Sequence, residues 1–112
     1  MSTLEQNIKR WKENYNWSDA GEEWSSEWGG SSAQWFGAIL PRIYPFLPTG
    51  TILEIAPGYG RWTNYLKNYC EQLTIVDLAE NCIEACQHRF AAESKITYHN
   101  FFFHLPTFYF AN

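Results

Sequence analysis

Two acidic residues and a glycine loop between them are the part of this sequence best suited to chemistry. Glu54 lies near the end of one short apolar run, and Asp77 ends the next one. Between them, Gly58 and Gly60 can adopt a positive φ and let the backbone approach a ligand closely. A carboxylate at Asp77 can accept hydrogen bonds from both hydroxyls of a ribose. The arrangement indicates a nucleotide-type cofactor site.

The elements that must position these residues alternate in type. Strands are predicted over 51–56, 73–77 and 96–99, because these runs are short, apolar and rich in β-branched residues. Helices are predicted from about 61 to 68 and over 80–91. This order requires right-handed crossovers and a parallel sheet, and open parallel sheets bind ligands at their carboxyl edge. The helix after the glycine loop would point its free N–H groups and positive dipole end at the ligand.

A dinucleotide fingerprint fits this loop poorly. Reading G-x-G-x-x-G from Gly58 places Thr63 at the third glycine position, which in that motif permits close packing of helix on sheet. Glu54 would also repel a pyrophosphate. A ligand that carries a sulfonium and an ammonium removes this objection, because the acid then favours the ligand.

Two segments resemble motifs of class I S-adenosylmethionine-dependent methyltransferases. LEIAPGYGRW (53–62) is similar to their first motif, which is an acid, any residue and then G-x-G-x-G. TIVDLAENCIEAC (74–86) is similar to their second strand and the helix after it. The resemblance covers roughly residues 48–100 and implies the cofactor S-adenosyl-L-methionine (SAM). It implies a cofactor site formed by Glu54, Ala56, Pro57, Gly58, Gly60, Asp77 and Leu78.

The same resemblance implies a role for each part of that site. The acid at Glu54 acts near the methionyl amino group, and the glycine loop wraps the methionine and ribose portions. The acid at Asp77 holds the ribose diol, and Leu78 packs on adenine. Ala56 departs from the family pattern because it stands at the first glycine, where a methyl group is compatible with a negative φ. Neither the catalytic residues nor the methyl acceptor is implied: small-molecule, sugar, lipid and protein acceptors stay open.

The first 48 residues read as helical. Residues 3–15 carry apolar side chains at helical spacing, and Ser18 is predicted to cap a second, short helix that ends at Gly29-Gly30. Ser31 or Ser32 is predicted to cap a third. Prolines are predicted to kink or end that third helix at Pro41, Pro45 and Pro48.

The tryptophan-rich segment 11–35 has two interpretations. It could cover the cofactor or contact an acceptor, with the turn Trp28-Gly29-Gly30 as its best candidate, or it could pack against the sheet. Arg61 and Trp62, just after the loop, could reach the ligand or an acceptor.

Cysteine and histidine residues carry weaker signals. Cys82 and Cys86 are one helical turn apart with His88 nearby, but no second pair of ligands follows, so buried small side chains are the better interpretation and no metal is expected. His99 and His104 could supply a base, and structural histidines are the more frequent case.

Composition narrows the class of protein. The 112 residues carry a net charge of −4, so no basic footprint for nucleic acid is expected. The N-terminus lacks the apolar core of a signal peptide, and no apolar run is long enough to span a membrane. Three cysteines do not form an even disulfide framework, and a cytoplasmic location is expected.

The fold class predicted is α/β: a partial Rossmann-like methyltransferase fold, with a parallel three-stranded half-sheet preceded by N-terminal helices. Residues 1–112 are interpreted as one incomplete domain, with a helical segment (1–48), a cofactor-binding half (49–100) and an aberrant aromatic tail (101–112). The strand at 51–56 would then lack its usual partner at one edge. The tail, self-association or a partner chain could cover this open edge. One hypothesis is a truncated or frame-shifted reading frame.

The function predicted is that of a SAM-dependent methyltransferase, or a truncated version of one, with an unknown acceptor. The alternatives are a non-catalytic remnant or partner subunit with a Rossmann-like core, and a small aromatic-rich interaction protein.

Overall fold

The computed structural model describes residues 3–100, which contain a sheet of three parallel strands. The strands are β1 (Thr49–Ile55), β2 (Cys70–Asp77) and β3 (Ile96–Asn100), in the spatial order β1-β2-β3. Both pairs are parallel, as the alternation of elements predicts. The α/β half-sheet is therefore confirmed.

Each connection between strands carries a helix. Between β1 and β2, α4 (Thr63–Leu66) continues as a 3₁₀ helix (Lys67–Tyr69). Between β2 and β3, α5 (Glu80–Arg89) is a regular α-helix. Both helices were predicted, although α4 begins two residues later than Arg61, the expected start.

One face of the sheet forms the core against α5. The buried cluster consists of Cys70, Leu73, Ile75, Ile83, Cys86, Phe90 and Ile96. Cys82 is buried beside it, and all three cysteines are free, as expected for small buried side chains. On the opposite face of β1, the Leu53 and Ile55 side chains are 62% and 74% exposed. Along the described chain, β1 pairs only with β2, so its other edge is open, as predicted.

The first predicted helix is present, and a capping box begins it. The helix α1 (Leu4–Lys9) passes directly into a π-helical segment (Arg10–Asn14). Thr3 accepts a hydrogen bond from the Gln6 backbone N–H, and the Gln6 side chain accepts one from the Thr3 N–H. This capping box satisfies two backbone donors that would otherwise be free.

The prediction that Ser18 caps the second helix is wrong. That helix is a 3₁₀ helix (Glu22–Trp28) whose N-cap is Gly21, with a φ of 91°. The Glu23 carboxylate accepts the backbone N–H groups of Asp19 and Gly21, so an acid inside the helix satisfies the donors that a serine was expected to satisfy. The helix ends at Gly29 with a φ of 83°, as predicted.

The cap of the third helix was also predicted wrongly. Gly30 is the N-cap, without a side-chain hydrogen bond, and it precedes α2 (Ser31–Gln34). The Ser31 hydroxyl is instead hydrogen-bonded to the Tyr65 hydroxyl at 2.8 Å. A contact with a residue distant in sequence has therefore replaced the local cap.

The chain stays helical through Pro41. A π-helical segment (Trp35–Ile39) leads into α3 (Leu40–Ile43), so Pro41 lies in the first turn of α3, where its missing N–H is tolerated. A 3₁₀ helix (Tyr44–Phe46) that contains Pro45 ends the helical region. Pro41 therefore alters the helical pitch but does not end the helix.

The N-terminal helices are attached to the sheet region on two sides. Near α5, Lys12 Nζ lies 3.6 Å from a Glu80 carboxylate oxygen, and Asn81 Nδ2 donates to the Trp11 carbonyl at 3.2 Å. Near α4, Arg61 Nη1 donates to Ser25 Oγ at 2.9 Å. None of the helices within residues 3–100 has the length and apolar character needed to span a membrane.

Candidate functional site

A cavity of about 710 Å³ lies between the carboxyl ends of β1 and β2 and the N-terminal helices. This volume is in the usual range of small-molecule sites, roughly 300–1,000 Å³. The wall from the sheet region consists of Leu53, Ile55, Ala56, Pro57, Gly58, Arg61, Trp62, Val76, Asp77, Leu78 and Cys82. The wall from the N-terminal region consists of Asn7, Trp11, Trp17, Gly21 and Trp24.

Asp77 is the acid that lies on the cavity wall. Its Oδ1 accepts the backbone N–H of Ala79 at 2.9 Å, and its Oδ2 accepts that of Gly58 at 3.2 Å. Burial raises the pKa of Asp77, and the hydrogen bonds from the backbone oppose this effect. A carboxylate has about four acceptor positions, so these two bonds and a third from the Leu78 backbone leave one for a ligand. The carboxylate thus fixes the glycine loop and still faces the cavity.

Glu54, by contrast, does not line the cavity. Its Oε1 accepts a hydrogen bond of 2.5 Å from the buried Thr63 hydroxyl. Burial raises the pKa of Glu54 to about 7; the bond from Thr63 opposes this rise, and the charge of Asp77 adds to it. Glu54 is therefore a poorly solvated acid behind the loop, whose ionised form a nearby cation would stabilise.

The loop backbone adopts three left-handed conformations. The φ angles are 60° at Ala56, 60° at Gly58 and 90° at Gly60. The φ at Ala56 is not the negative one with which a methyl group is compatible: the strand ends one residue earlier than predicted, at Ile55, and the chain turns at Ala56. A methyl group in this conformation costs roughly 1–2 kcal/mol.

The two loop glycines face different neighbours. A Cβ at Gly60 would lie 2.6 Å from the Phe90 ring, so this glycine lets the loop pack on the core and does not line the cavity. A Cβ at Gly58 would lie 2.7 Å from the Trp17 ring. Trp17 itself is stacked on Tyr59, with ring centroids 4.5 Å apart and an interplanar angle of 9°. Gly58 therefore permits an indole, as well as any ligand, to approach the loop.

Three tryptophans of the N-terminal region form the opposite wall. The Trp11 ring lies beside the Trp17 ring, and the Trp24 ring is stacked on Tyr15. The Tyr15 hydroxyl donates a hydrogen bond of 2.9 Å to the Glu23 carboxylate. Within segment 11–35, Trp11, Trp17 and Trp24 are therefore the tryptophans that line the cavity. Trp28, the best candidate from the sequence, is 60% exposed and does not line the cavity.

The remaining candidates are placed as follows. Arg61 and Trp62 both line the cavity. Burial raises the pKa of the Cys86 thiol to about 12, and no group of three or more metal-binding side chains occurs within residues 3–100. His99 lies at an exposed position of β3, whereas His104 lies outside the described residues.

The seven predicted cofactor residues therefore divide into two groups. Ala56, Pro57, Gly58, Asp77 and Leu78 line one cavity, whereas Glu54 and Gly60 support the loop from behind. The arrangement fits a nucleoside with a cationic substituent: Asp77 keeps an acceptor position on the wall, and the half-buried Glu54 forms no ion pair within residues 3–100. The indole surface opposite the loop was not identified residue by residue from the sequence, because it depends on contacts across more than 40 positions.

Two solved structures resemble this fold. The complex of DhpI with SAM and HEP gives a TM-score of 0.60 at 18% identity, over 88% of this chain and 44% of that one. The N-methyltransferase NodS from Bradyrhizobium japonicum WM9, in complex with S-adenosyl-L-homocysteine, gives a TM-score of 0.55 at 18% identity, over 88% and 47%.

A curated relative matches in sequence. Ribosomal RNA small subunit methyltransferase A from Coxiella burnetii (strain RSA 493 / Nine Mile phase I) is 32% identical over 59 residues, which are 53% of this chain and 22% of that protein. The chain thus spans about a fifth of this relative's length and less than half of each structural neighbour.

A family model covers most of the chain. Residues 19–104 match the model of nodulation protein S (NodS), and this match includes the glycine loop, Asp77 and all three strands. The chain therefore belongs to the NodS family of SAM-dependent methyltransferases.

Proposed function

We propose that the chain binds SAM in the cavity described above and acts as the cofactor-binding part of a methyltransferase. The observation that carries this proposal is the Asp77 carboxylate, which joins the loop at Gly58 to the start of the segment at Ala79 and keeps an acceptor position on the cavity wall. Family membership and neighbours crystallised with SAM or S-adenosyl-L-homocysteine support it.

Each predicted residue has a role in this proposal. Asp77 accepts hydrogen bonds from the ribose hydroxyls, and Leu78 packs on the adenine ring. The loop from Ala56 to Gly58 offers its backbone to the ribose and methionine portions. Glu54, behind the loop, supplies the negative charge that favours the ammonium and sulfonium. When bound, SAM supplies a methyl group on a good leaving group.

Methyl transfer to an acceptor is a further part of the proposal. The reaction requires the acceptor to be held in line with the methyl group, and needs little acid–base help. Trp11, Trp24, Arg61 and Trp62 line the same cavity and are the candidates to contact an acceptor. The matched proteins include an N-methyltransferase and a ribosomal RNA methyltransferase, so the acceptor class stays open.

Calorimetric titration with S-adenosyl-L-homocysteine tests cofactor binding. We expect one site in the wild-type chain and at least a tenfold loss of affinity in Asp77→Ala. Glu71→Ala is the matched control, because Glu71 is an exposed acid on the same strand. A well-folded wild-type protein that gives no heat would refute the proposal.

We also propose that the three parts of the chain act as one domain with an associating edge. The helical segment 1–48 and the cofactor-binding half 49–100 share the cavity walls. The tail 101–112 lies outside the described residues. The open edge of β1 favours pairing with a second copy of the chain or with a partner subunit. A partner subunit is the binding-only alternative. Sedimentation at several protein concentrations tests self-association, and a mass that does not change with concentration would contradict it.

A further inference from the structure

We propose that Arg61 is an anion-recognition residue, which binds a carboxylate or another anionic group of a ligand in the cavity. The proposal rests on the proposed function, because it assigns this anion to the cofactor's amino-acid end or to the acceptor.

Arg61 is the one basic side chain among the described residues that line the cavity. Its neighbours on that wall are aromatic or apolar, apart from Asp77 and Asn7. Arg61 directly follows the glycine loop. Its positive charge would therefore attract an anionic group of a ligand in this cavity.

The guanidinium of Arg61 is held in position from two sides. Nη1 donates to Ser25 Oγ at 2.9 Å, and Cζ lies 4.5 Å from the centroid of the Trp62 ring. Ser25 is fully buried, and its hydroxyl donates onward to Gln34 Oε1 at 2.7 Å. This direction leaves the Ser25 oxygen as a pure acceptor for Arg61. A fixed, planar guanidinium loses less freedom when it pairs with a planar or tetrahedral anion.

The same guanidinium has donors that no residue between 3 and 100 uses. An arginine side chain offers five N–H groups, and within that range its one hydrogen bond is to Ser25. Glu22 and Glu23 raise the pKa of Arg61, but neither forms an ion pair with it within the described chain. The Glu23 carboxylate is engaged by the Tyr15 hydroxyl and by two backbone N–H groups.

Burial is the main influence on this cation, and it lowers the pKa of Arg61. A partly desolvated guanidinium with free donors gains from an anion that replaces the lost hydration, because charge-assisted and bidentate hydrogen bonds are stronger than neutral ones. The charges of the site then complement SAM: Glu54 lies behind the loop for its two cationic groups, and Arg61 is available for the carboxylate. An acceptor with a phosphate or carboxylate offers the same chemistry.

Two cofactor analogues separate these sources. S-adenosyl-L-homocysteine carries the carboxylate, whereas its decarboxylated form keeps the ammonium and lacks it. If the anion is that of the cofactor, Arg61→Gln should weaken the first ligand about tenfold and the second less than twofold. Glutamine keeps a donor for Ser25, and Arg61→Lys keeps the charge. Arg42→Gln is the matched control, because Arg42 is exposed and does not line the cavity.

Inorganic phosphate tests the acceptor source. If the anion belongs to the acceptor, phosphate should bind to the protein saturated with S-adenosyl-L-homocysteine, and Arg61→Gln alone should abolish this binding. Circular dichroism and thermal unfolding confirm that each variant folds. Equal affinities of wild type and Arg61→Gln for both analogues and for phosphate would overturn the proposal. A wild-type chain that binds neither analogue refutes the proposed function instead, and phosphate titration of the free protein then decides the role of Arg61.

Discussion

The Thr63 hydroxyl donates a 2.5 Å hydrogen bond to the Glu54 carboxylate, and Thr63 itself is completely buried. This pair joins the first residue of α4 to β1 directly behind the cofactor loop. Thr63 lowers the pKa of Glu54, whereas burial and the charge of Asp77 raise it to about 7. The charge of Glu54 therefore depends on pH in the neutral range.

Ligand affinity should follow this ionisation. The ammonium of S-adenosyl-L-homocysteine is favoured only when Glu54 is ionised, so affinity should rise between pH 6 and pH 8, by about tenfold per unit below the pKa. The charge of Asp77 also acts on Glu54, whereas the Cys86 thiol, whose pKa is raised to about 12, stays uncharged across this range. Titration at each pH measures the effect, and a flat profile would contradict it.

Thr63→Val should move that profile to higher pH, because it removes the hydrogen bond that stabilises ionised Glu54. At pH 7 we expect a several-fold loss of affinity that is recovered by pH 8.5. Thr63→Ser, which keeps the hydroxyl, is the control. An unchanged midpoint in Thr63→Val would show that the hydroxyl has no effect on Glu54.

Glu54→Gln should stabilise the fold at alkaline pH. The pKa of Glu54 is 4.5 as a free side chain and about 7 in the folded protein, so the unfolded state loses its proton first. The free energy of unfolding of the wild type therefore falls as pH rises from about 4.5 through 7. At pH 8 the variant should be more stable by about 3 kcal/mol, and near pH 4 the two should agree. Urea unfolding at both pH values measures this difference, which would be absent if Glu54 were well solvated.

Ala56→Gly should relieve backbone strain at the start of the loop. With φ at 60°, the alanine methyl group is unfavourable, and glycine should raise the free energy of unfolding by about 1 kcal/mol. Ala33→Gly in α2 is the control, because Ala33 is exposed in a helix, where glycine costs about 1 kcal/mol. Chemical denaturation of both variants should give opposite signs, and a loss of stability in Ala56→Gly would contradict the assigned conformation.

Gly60→Ala should destabilise the protein. Its Cβ would lie 2.6 Å from the Phe90 ring, and its φ is 90°, so overpacking and strain together should cost about 3 kcal/mol. At Gly37 no atom lies within 4 Å of an added Cβ, and Gly37→Ala should be neutral or stabilising. Thermal unfolding distinguishes the two substitutions, and similar melting temperatures would show that the loop does not pack on Phe90 as described.

The strands and their parallel direction could be predicted, because they depend on local pattern and on the alternation of strands and helices. Apolar runs such as 73–77 identify strands wherever one face is buried, and Asp77 ends such a run at the carboxyl edge of the sheet. Ala56, Pro57 and Gly58 of the loop and Asp77 of the second strand consequently lie together on the cavity wall.

Contacts between distant segments could not be predicted in this way. Ser31 pairs with Tyr65 and not with its own helix, and Trp17 occupies the space over Gly58. The side of the loop that Glu54 faces depends on Thr63 in the next helix, so an acid of the resembled motif lies behind the cavity wall. The backbone of Ala56 has a left-handed conformation, and the strand before it ends at Ile55, one residue earlier than predicted.

The attachments of the N-terminal helices have a consequence for any minimal version of this protein. Lys12 and Trp11 contact α5, Ser25 contacts Arg61, and Ser31 contacts Tyr65, so the first 48 residues bridge both helical connections of the sheet. A fragment that starts at the first strand would keep the glycine loop and Asp77 but lose residues 19–48 of the family match and one wall of the cavity. The tryptophan-rich segment 11–35 therefore belongs to the smallest unit in which the proposed cofactor affinity should be measured.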